Sequence, residues 1–156
     1  MFTTLRYPTK QQSLIWLRRR QNNRPSEIAK DLKVSRPFVS MEQKEAESRI
    51  KKLIEHAASA NRVKIDRLSS RYGIAEGFCH AYNEQTYIFY SPKIGVQNWY
   101  MHQGHCGTCN LEDQCKETLR TLAEEWEIGI PPEMSPTELG EYLVETIRRR
   151  LKWDKL

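Results

Sequence analysis

The chain has 156 residues, 38% of them hydrophobic and 29% charged, which suits one domain with a real core or two small ones and excludes a disordered chain. No apolar run approaches the length of a membrane span and the N-terminus lacks the apolar core of a signal peptide, so the expected compartment is the cytoplasm, where clustered cysteines read as metal ligands rather than disulfides. The net charge of +5 is uneven: residues 1–64 carry 15 Lys and Arg against 6 Asp and Glu, a net of +9, while residues 65–156 carry 10 against 14, a net of −4.

A positive surface confined to the first part of the chain suits a polyanion partner, because binding can then be restricted to one face. Thr9 begins a helical pattern in which Leu14, Ile15, Trp16 and Leu17 are apolar and Arg18, Arg19 and Arg20 follow, and Gln21-Asn22-Asn23-Arg24 breaks it. Pro25, suited to a first helical turn, leads into a short helix with Ile28, Ala29 and Leu32 on one face. After Lys33 and Val34, Ser35 is a suitable N-cap for Arg36-Pro37-Phe38-Val39-Ser40. Val39, Ala46, Ile50, Leu53, Ile54 and Ala57 recur at helical spacing, so one amphipathic helix is expected from Ser35 to about Ala58. Its far end is a candidate surface for pairing with a second copy.

This order of pieces, a helix, Glu27-Ile28-Ala29, a turn bearing Val34, then Ser35-Arg36 and Val39-Ser40, resembles the helix-turn-helix of the sigma-factor region 4 and LuxR type. It is most similar to the archaeal Tfx-like regulators, whose recognition helix also continues into a long helix. The resemblance covers about residues 7–60. It implies that the helix from Ser35 enters the major groove of duplex DNA, with Arg36, Phe38, Ser40, Gln43 and Lys44 nearest the bases. Arg18, Arg19, Arg20, Arg24 and Lys33 are implied to lie near phosphates.

Residues 59–65 weaken the periodicity just where the charge changes sign, and a domain boundary is expected there. Residues 66–72 read as a short helix, and Gly73 and Gly77 as flanking a turn. Residues 86–90 and 95–101 are rich in β-branched and aromatic side chains and are separated by Ser91-Pro92-Lys93-Ile94, a hairpin pattern. Tyr82, Tyr87, Phe89, Tyr90, Trp99 and Tyr100 fit hairpin core and cross-strand pairs better than a stacking platform for single strands. A helix over 111–126 follows, with Asn110 as N-cap, and Gly129 and Pro131-Pro132 end it. Ser135-Pro136-Thr137-Glu138 is a capping box that opens a last helix with Leu139, Leu143, Ile147 and Leu151 as its stripe. Arg148, Arg149 and Arg150 fall in its last turn, where they offset the negative end of the helix dipole.

Between the hairpin and these helices, His102 to Cys115 holds Cys106, Cys109 and Cys115 with two histidines, His102 and His105; Cys79 is the fourth thiol of the chain. Four soft ligands are a complete set for a metal or an iron–sulfur cluster, and Gly104 and Gly107 free the backbone to curl round it. Cys115 is expected in the first turn of its helix, where the dipole favours a thiolate. Structural zinc usually takes two pairs of close ligands, and here the second pair would be Cys115 with the distant Cys79. The spacing Cys106-x2-Cys109-x5-Cys115 with one remote cysteine is similar to that of the fumarate–nitrate reductase regulators and the WhiB-like proteins. That resemblance covers only the cysteines and implies a [4Fe–4S] cluster sensing oxygen, nitric oxide or redox state. His102 or His105 can each replace Cys79 as fourth ligand.

The expected fold is α+β and mostly α: a helix-turn-helix domain over residues 1–60, then a small metal-binding domain over 61–156 with a β-hairpin and two helices. The expected function is a DNA-binding transcriptional regulator that acts as a homodimer on double-stranded DNA, with no membrane partner and no enzymatic activity. Its C-terminal domain is expected to carry a [4Fe–4S] cluster on Cys79, Cys106, Cys109 and Cys115. A structural Zn²⁺ is the alternative centre. A metal-dependent hydrolase or nuclease using His80, Glu84, His102 and His105 is the alternative from another class, against which stands the need of catalytic zinc for an open coordination position.

Overall fold

Thr9 opens the first helix, α1 (Lys10–Arg20), with a capping box: its side chain accepts from the Gln12 backbone while its own N–H donates to Gln12 Oε1 at 3.0 Å. Asn22 turns left-handed with φ 65° and the chain re-enters helix at Pro25, the first residue of α2 (Pro25–Leu32). Lys33, also left-handed with φ 55°, ends α2. Two residues later Ser35 accepts from the Phe38 N–H at 3.2 Å and starts α3 (Arg36–Ala60). Ile15, Ile28, Ala29 and Val39 bury one small core between the three helices, with Leu32 and Val34 packed against it.

In the computed structural model, which describes residues 4–153, α3 is followed by four strands in the order β1-β2-β3-β4. They are β1 (Val63–Ser69), β2 (Ile74–Cys79), β3 (Glu84–Ser91) and β4 (Gly95–Tyr100), forming an antiparallel sheet. The register breaks in β1 between Ile65 and Arg67, a one-residue bulge that leaves Asp66 unpaired and sharpens the local twist. Leu53, Ile54 and Ala58 of α3 are buried, and α3 packs on β1 and β3. Trp16 ties α1 to the same body: its indole N–H donates to the Ser70 carbonyl at 3.0 Å, and its ring meets Tyr90 edge-on at 5.2 Å. Gly73, at φ 67°, lies under that ring, where an added Cβ would stand 2.6 Å from it.

Two compact units result, residues 1–98 and 99–156. The boundary expected near residue 60 lies within the first unit, because the apolar stripe of α3 finds its cover on the strands that follow it. That stripe is therefore spent inside the chain and is not the exposed pairing surface expected of it. Residues 66–72, expected as a short helix, finish β1 and turn. Residues 73–77, expected as a turn, lead into and form most of β2, where the bare α-carbon of Gly77 admits the Lys64 carbonyl, with which an added Cβ would collide. The hairpin of β3 and β4 is as expected. Of the aromatics expected there, Tyr87, Phe89 and Tyr90 are buried in β3 and Trp99 and Tyr100 are half-buried in β4, while Tyr82, in the turn before β3, is exposed.

In the second unit, α4 (Glu112–Glu125) and α5 (Pro136–Leu151) pack through Leu119, Leu122, Ala123 and Trp126 against Leu139, Leu143, Val144 and Ile147. The cap of α4 is Leu111, without a side-chain bond, rather than Asn110. The capping box of α5 forms as its sequence requires, Ser135 N–H donating to Glu138 Oε2 at 3.2 Å and Ser135 Oγ accepting from Glu138 N–H at 3.4 Å. Trp99 lies across Gly140, where an added Cβ would collide with the indole. Arg149 and Arg150 serve backbone carbonyls, of Glu145 and of Trp126 and Glu127. About half of the chain is helical, and the α+β class stands.

Candidate functional site

The connection from α2 to α3 is three residues, Lys33 to Ser35. Its tightness, with the shared Ile15, Ile28 and Val39 core, holds the two helices in one arrangement and leaves the opposite side of α3 to solvent. Val39 and Ala46 mark the buried side; Arg36, Pro37, Ser40, Met41 and Lys44 are exposed. Met41 is 58% exposed, an apolar residue outside the apolar stripe and absent from the side chains expected at DNA. Its position alone could have revealed it, two residues from Val39 and so on the far side of the helix.

The side chains expected at DNA divide into two groups. Arg24, Lys33, Arg36, Ser40 and Lys44 are exposed. Arg18, Arg19, Arg20 and Gln43 carry protein partners. Arg18 pairs with Asp31 at 2.6 Å. Arg19 donates from Nε to Gln43 Oε1 at 3.1 Å and from Nη1 to the Asn23 carbonyl at 2.9 Å, and Gln43 in turn donates to Glu47 at 3.2 Å. This chain of bonds joins α1 to α3 and engages both the oxygen and the nitrogen of the Gln43 amide. Phe38 is half-buried, and Ser35 is engaged as a cap.

Arg20 is a correction. Expected beside a phosphate, it is 7% exposed, donates from Nη1 to the Tyr72 carbonyl at 3.0 Å and lies 4.7 Å over the Trp16 ring. Its charge is spent on joining α1 to the turn before β2. The carboxylates near the exposed cations are likewise engaged: Asp31 by Arg18, Glu27 by the Arg24 N–H, Glu45 by Arg49. Arg24, Lys33, Arg36 and Lys44 form no ion pair among the described residues.

The cysteine loop belongs to the second unit. Cys106 and Cys109 bracket a single 3₁₀ turn, Cys106–Thr108, closed by Cys109 N–H donating to the Cys106 carbonyl at 3.0 Å. Cys109 is exposed and its Sγ accepts from the Leu111 N–H at 3.5 Å; Cys106 is half-buried, with its thiol 3.7 Å from Thr137 Oγ1. Cys115 lies in the first turn of α4. Burial pushes its thiol up, and the neighbouring Cys109 and Cys106 push it in the same direction. The lowering expected from the helix dipole does not prevail, because Cys115 is partly removed from water.

Cys79 is elsewhere. It ends β2, is fully buried in the first unit and donates its thiol to the Asn61 carbonyl at 3.3 Å. His102 is exposed, and its Nδ1 lies 2.7 Å from the Tyr100 carbonyl. A carbonyl only accepts, so Nδ1 carries a proton in this bond. His105 is exposed and its carbonyl takes the Thr108 N–H and hydroxyl. His80 is exposed beside Phe78, and Glu84 begins β3. Among the described residues no three His, Cys, Asp or Glu side chains are grouped as they would be round a metal ion. In chemical type the three loop thiols and a neighbouring imidazole are metal donors, whereas the Cys79 thiol is buried and engaged at the end of β2.

Comparison of the chain with family models, with curated proteins and with solved structures finds no match. Among the described residues no helix is long and apolar enough to cross a membrane.

Proposed function

We propose that this chain is a transcriptional regulator that binds duplex DNA through α2, the Lys33–Ser35 turn and α3, with α3 as the helix that enters the major groove. The observation that carries the reading is the exposed start of α3. Arg36, Ser40 and Lys44 project from a helix whose other side is locked into a three-helix core, and of the nearby carboxylates Asp31 and Glu45 are paired with Arg18 and Arg49. Arg36 and Lys44 can donate to guanine edges, Ser40 to either base type, and Met41 offers a methyl-sized contact to thymine. Arg24 and Lys33, at the start and end of α2, supply phosphate contacts, and Arg18, paired but at the surface, can add a third.

Selection of binding sequences from a random duplex pool, followed by affinity measurement across salt, tests this. A preferred sequence should emerge, bound about 10³-fold or more tightly than random duplex, with affinity falling steeply as salt rises. Absence of measurable duplex binding at low salt overturns the reading. If the selected site is a palindrome, its half-site spacing reports a dimer.

The cysteine loop is proposed to hold an inorganic centre on Cys106, Cys109 and Cys115, with His102 as fourth ligand. Three thiolates and an imidazole are a zinc donor set, and a bound zinc would supply a fixed point for a loop with little pairing of its own. The [4Fe–4S] reading keeps the support of the Cys106-x2-Cys109-x5-Cys115 spacing. Protein purified without oxygen separates the two: one equivalent of zinc and no colour for the first, iron, sulfide and a brown chromophore for the second.

A further inference from the structure

A second cationic locus lies on α3 beyond its first turns. The segment before α1 runs beside the helix, held by Arg49 Nη1 donating to the Tyr7 carbonyl at 3.2 Å. Arg49 also bonds Glu45 at 2.9 Å, so the charges of that pair cancel. Between segment and helix lies an open cleft of about 370 Å³, bordered by Thr4, Arg6, Glu45, Ser48, Arg49 and Lys52, far larger than the roughly 30 Å³ of one water. Arg6 and Lys52 are exposed, and among the described residues neither forms an ion pair. The cleft therefore offers two uncompensated cations, one on the segment and one on the helix, with the Ser48 hydroxyl between helix turns.

We propose that this cleft seats the sugar-phosphate backbone of the same duplex whose major groove receives the start of α3; the proposal thus rests on the reading above and extends it. The stripe Met41, Lys44, Ser48, Lys52 advances by three or four residues per step and so stays on one side of the helix. At about 1.5 Å per residue, Ser48 and Lys52 lie roughly 10 and 16 Å along the axis from Met41. The major groove is about 12 Å wide. A helix that places its first two turns at the base edges thus meets the bounding phosphates where Ser48 and Lys52 stand, and the segment carrying Arg6 closes on them from the side. Arg49 acts as the positioning residue, since its bond to the Tyr7 carbonyl keeps Arg6 beside the helix.

The test compares the full chain with an Arg6→Ala/Lys52→Ala variant, both on its selected duplex and on random duplex, across salt. Both side chains are exposed, so the variant should melt with the parent. Its affinity should fall by a similar factor on both duplexes, and its plot of log affinity against log salt should flatten by about 0.9 for each phosphate that is no longer neutralised. Arg36→Ala/Lys44→Ala should instead reduce the preference for the selected sequence. An unchanged salt slope in Arg6→Ala/Lys52→Ala, with the parent binding normally, overturns the clamp and leaves the major-groove reading intact. No duplex binding by the parent overturns both. Titration with inorganic phosphate forms the remaining arm: saturation at this cleft with no change in duplex salt slope would identify a small-anion site and reject the backbone clamp.

Discussion

Around α2 and α3 several polar side chains are tied to other elements of the protein, whereas from Met101 to Leu111 the side-chain bonds are mostly to near neighbours in the loop. Arg18, Arg19, Arg20 and Gln43 all have protein partners at 2.6 to 3.1 Å, and the three helices share a closed core. The cysteine loop has one 3₁₀ turn, few side-chain bonds and no buried residue in that turn. The difference teaches that the first region is shaped before any ligand arrives, while the second lacks the apolar packing that would order it alone. A preformed surface suits groove reading, where a misplaced side chain no longer reaches its base, and an open thiol loop suits a ligand that completes it.

The sharpest test of that contrast is metal retention. Cys106→Ser, Cys109→Ser or Cys115→Ser should each abolish stoichiometric metal after gel filtration, whereas Cys79→Ala should keep it; loss of metal from a folded Cys79→Ala would restore the four-cysteine set. Chelation should raise amide exchange in residues 101–115 and leave α1 to α3 protected. Next in size is the helical core: Ile28→Ala should cost about 2–5 kcal/mol in urea unfolding, because its site cannot collapse around the missing atoms. Gly73→Ala should cost about 1–3 kcal/mol from overpacking against Trp16, together with strain at its positive φ. In binding, Arg36→Ala should lose about 1–3 kcal/mol on the selected duplex. Arg20→Ala should lower stability instead and leave the sequence preference unchanged, an outcome that separates the inward arginine from the outward one. The smallest effect is expected from Ser135→Ala, about 1 kcal/mol of α5 stability, with the first unit unaffected.

How far the chain could be read residue by residue follows the range of the forces involved. A cap is made within four residues, so Thr9 with Gln12, Ser35 with Phe38 and Ser135 with Glu138 could be recognised from spacing alone. The stripes of α3, α4 and α5 repeat over several turns and were equally visible. β1 and β2 were not, because a run of six or seven residues with a bulge at Asp66 and a glycine at position 77 supports neither period clearly. Their identity as strands is settled only by pairing with one another and with β3.

The candidate site shows the same division. That the first part is basic, that a turn separates two helices, and that three thiols cluster near two histidines were properties of the sequence by itself. Which of those groups remain free was decided by the tertiary structure. Arg20 turns inward to the Tyr72 carbonyl, Arg19 and Gln43 satisfy each other, and Cys79 is enclosed with the Asn61 carbonyl. Each of these partners lies 18 to 52 residues away, and a buried polar group must find such a partner or lose more free energy than the bond would return. Local sequence names the donors and acceptors, but only packing decides which of them meet.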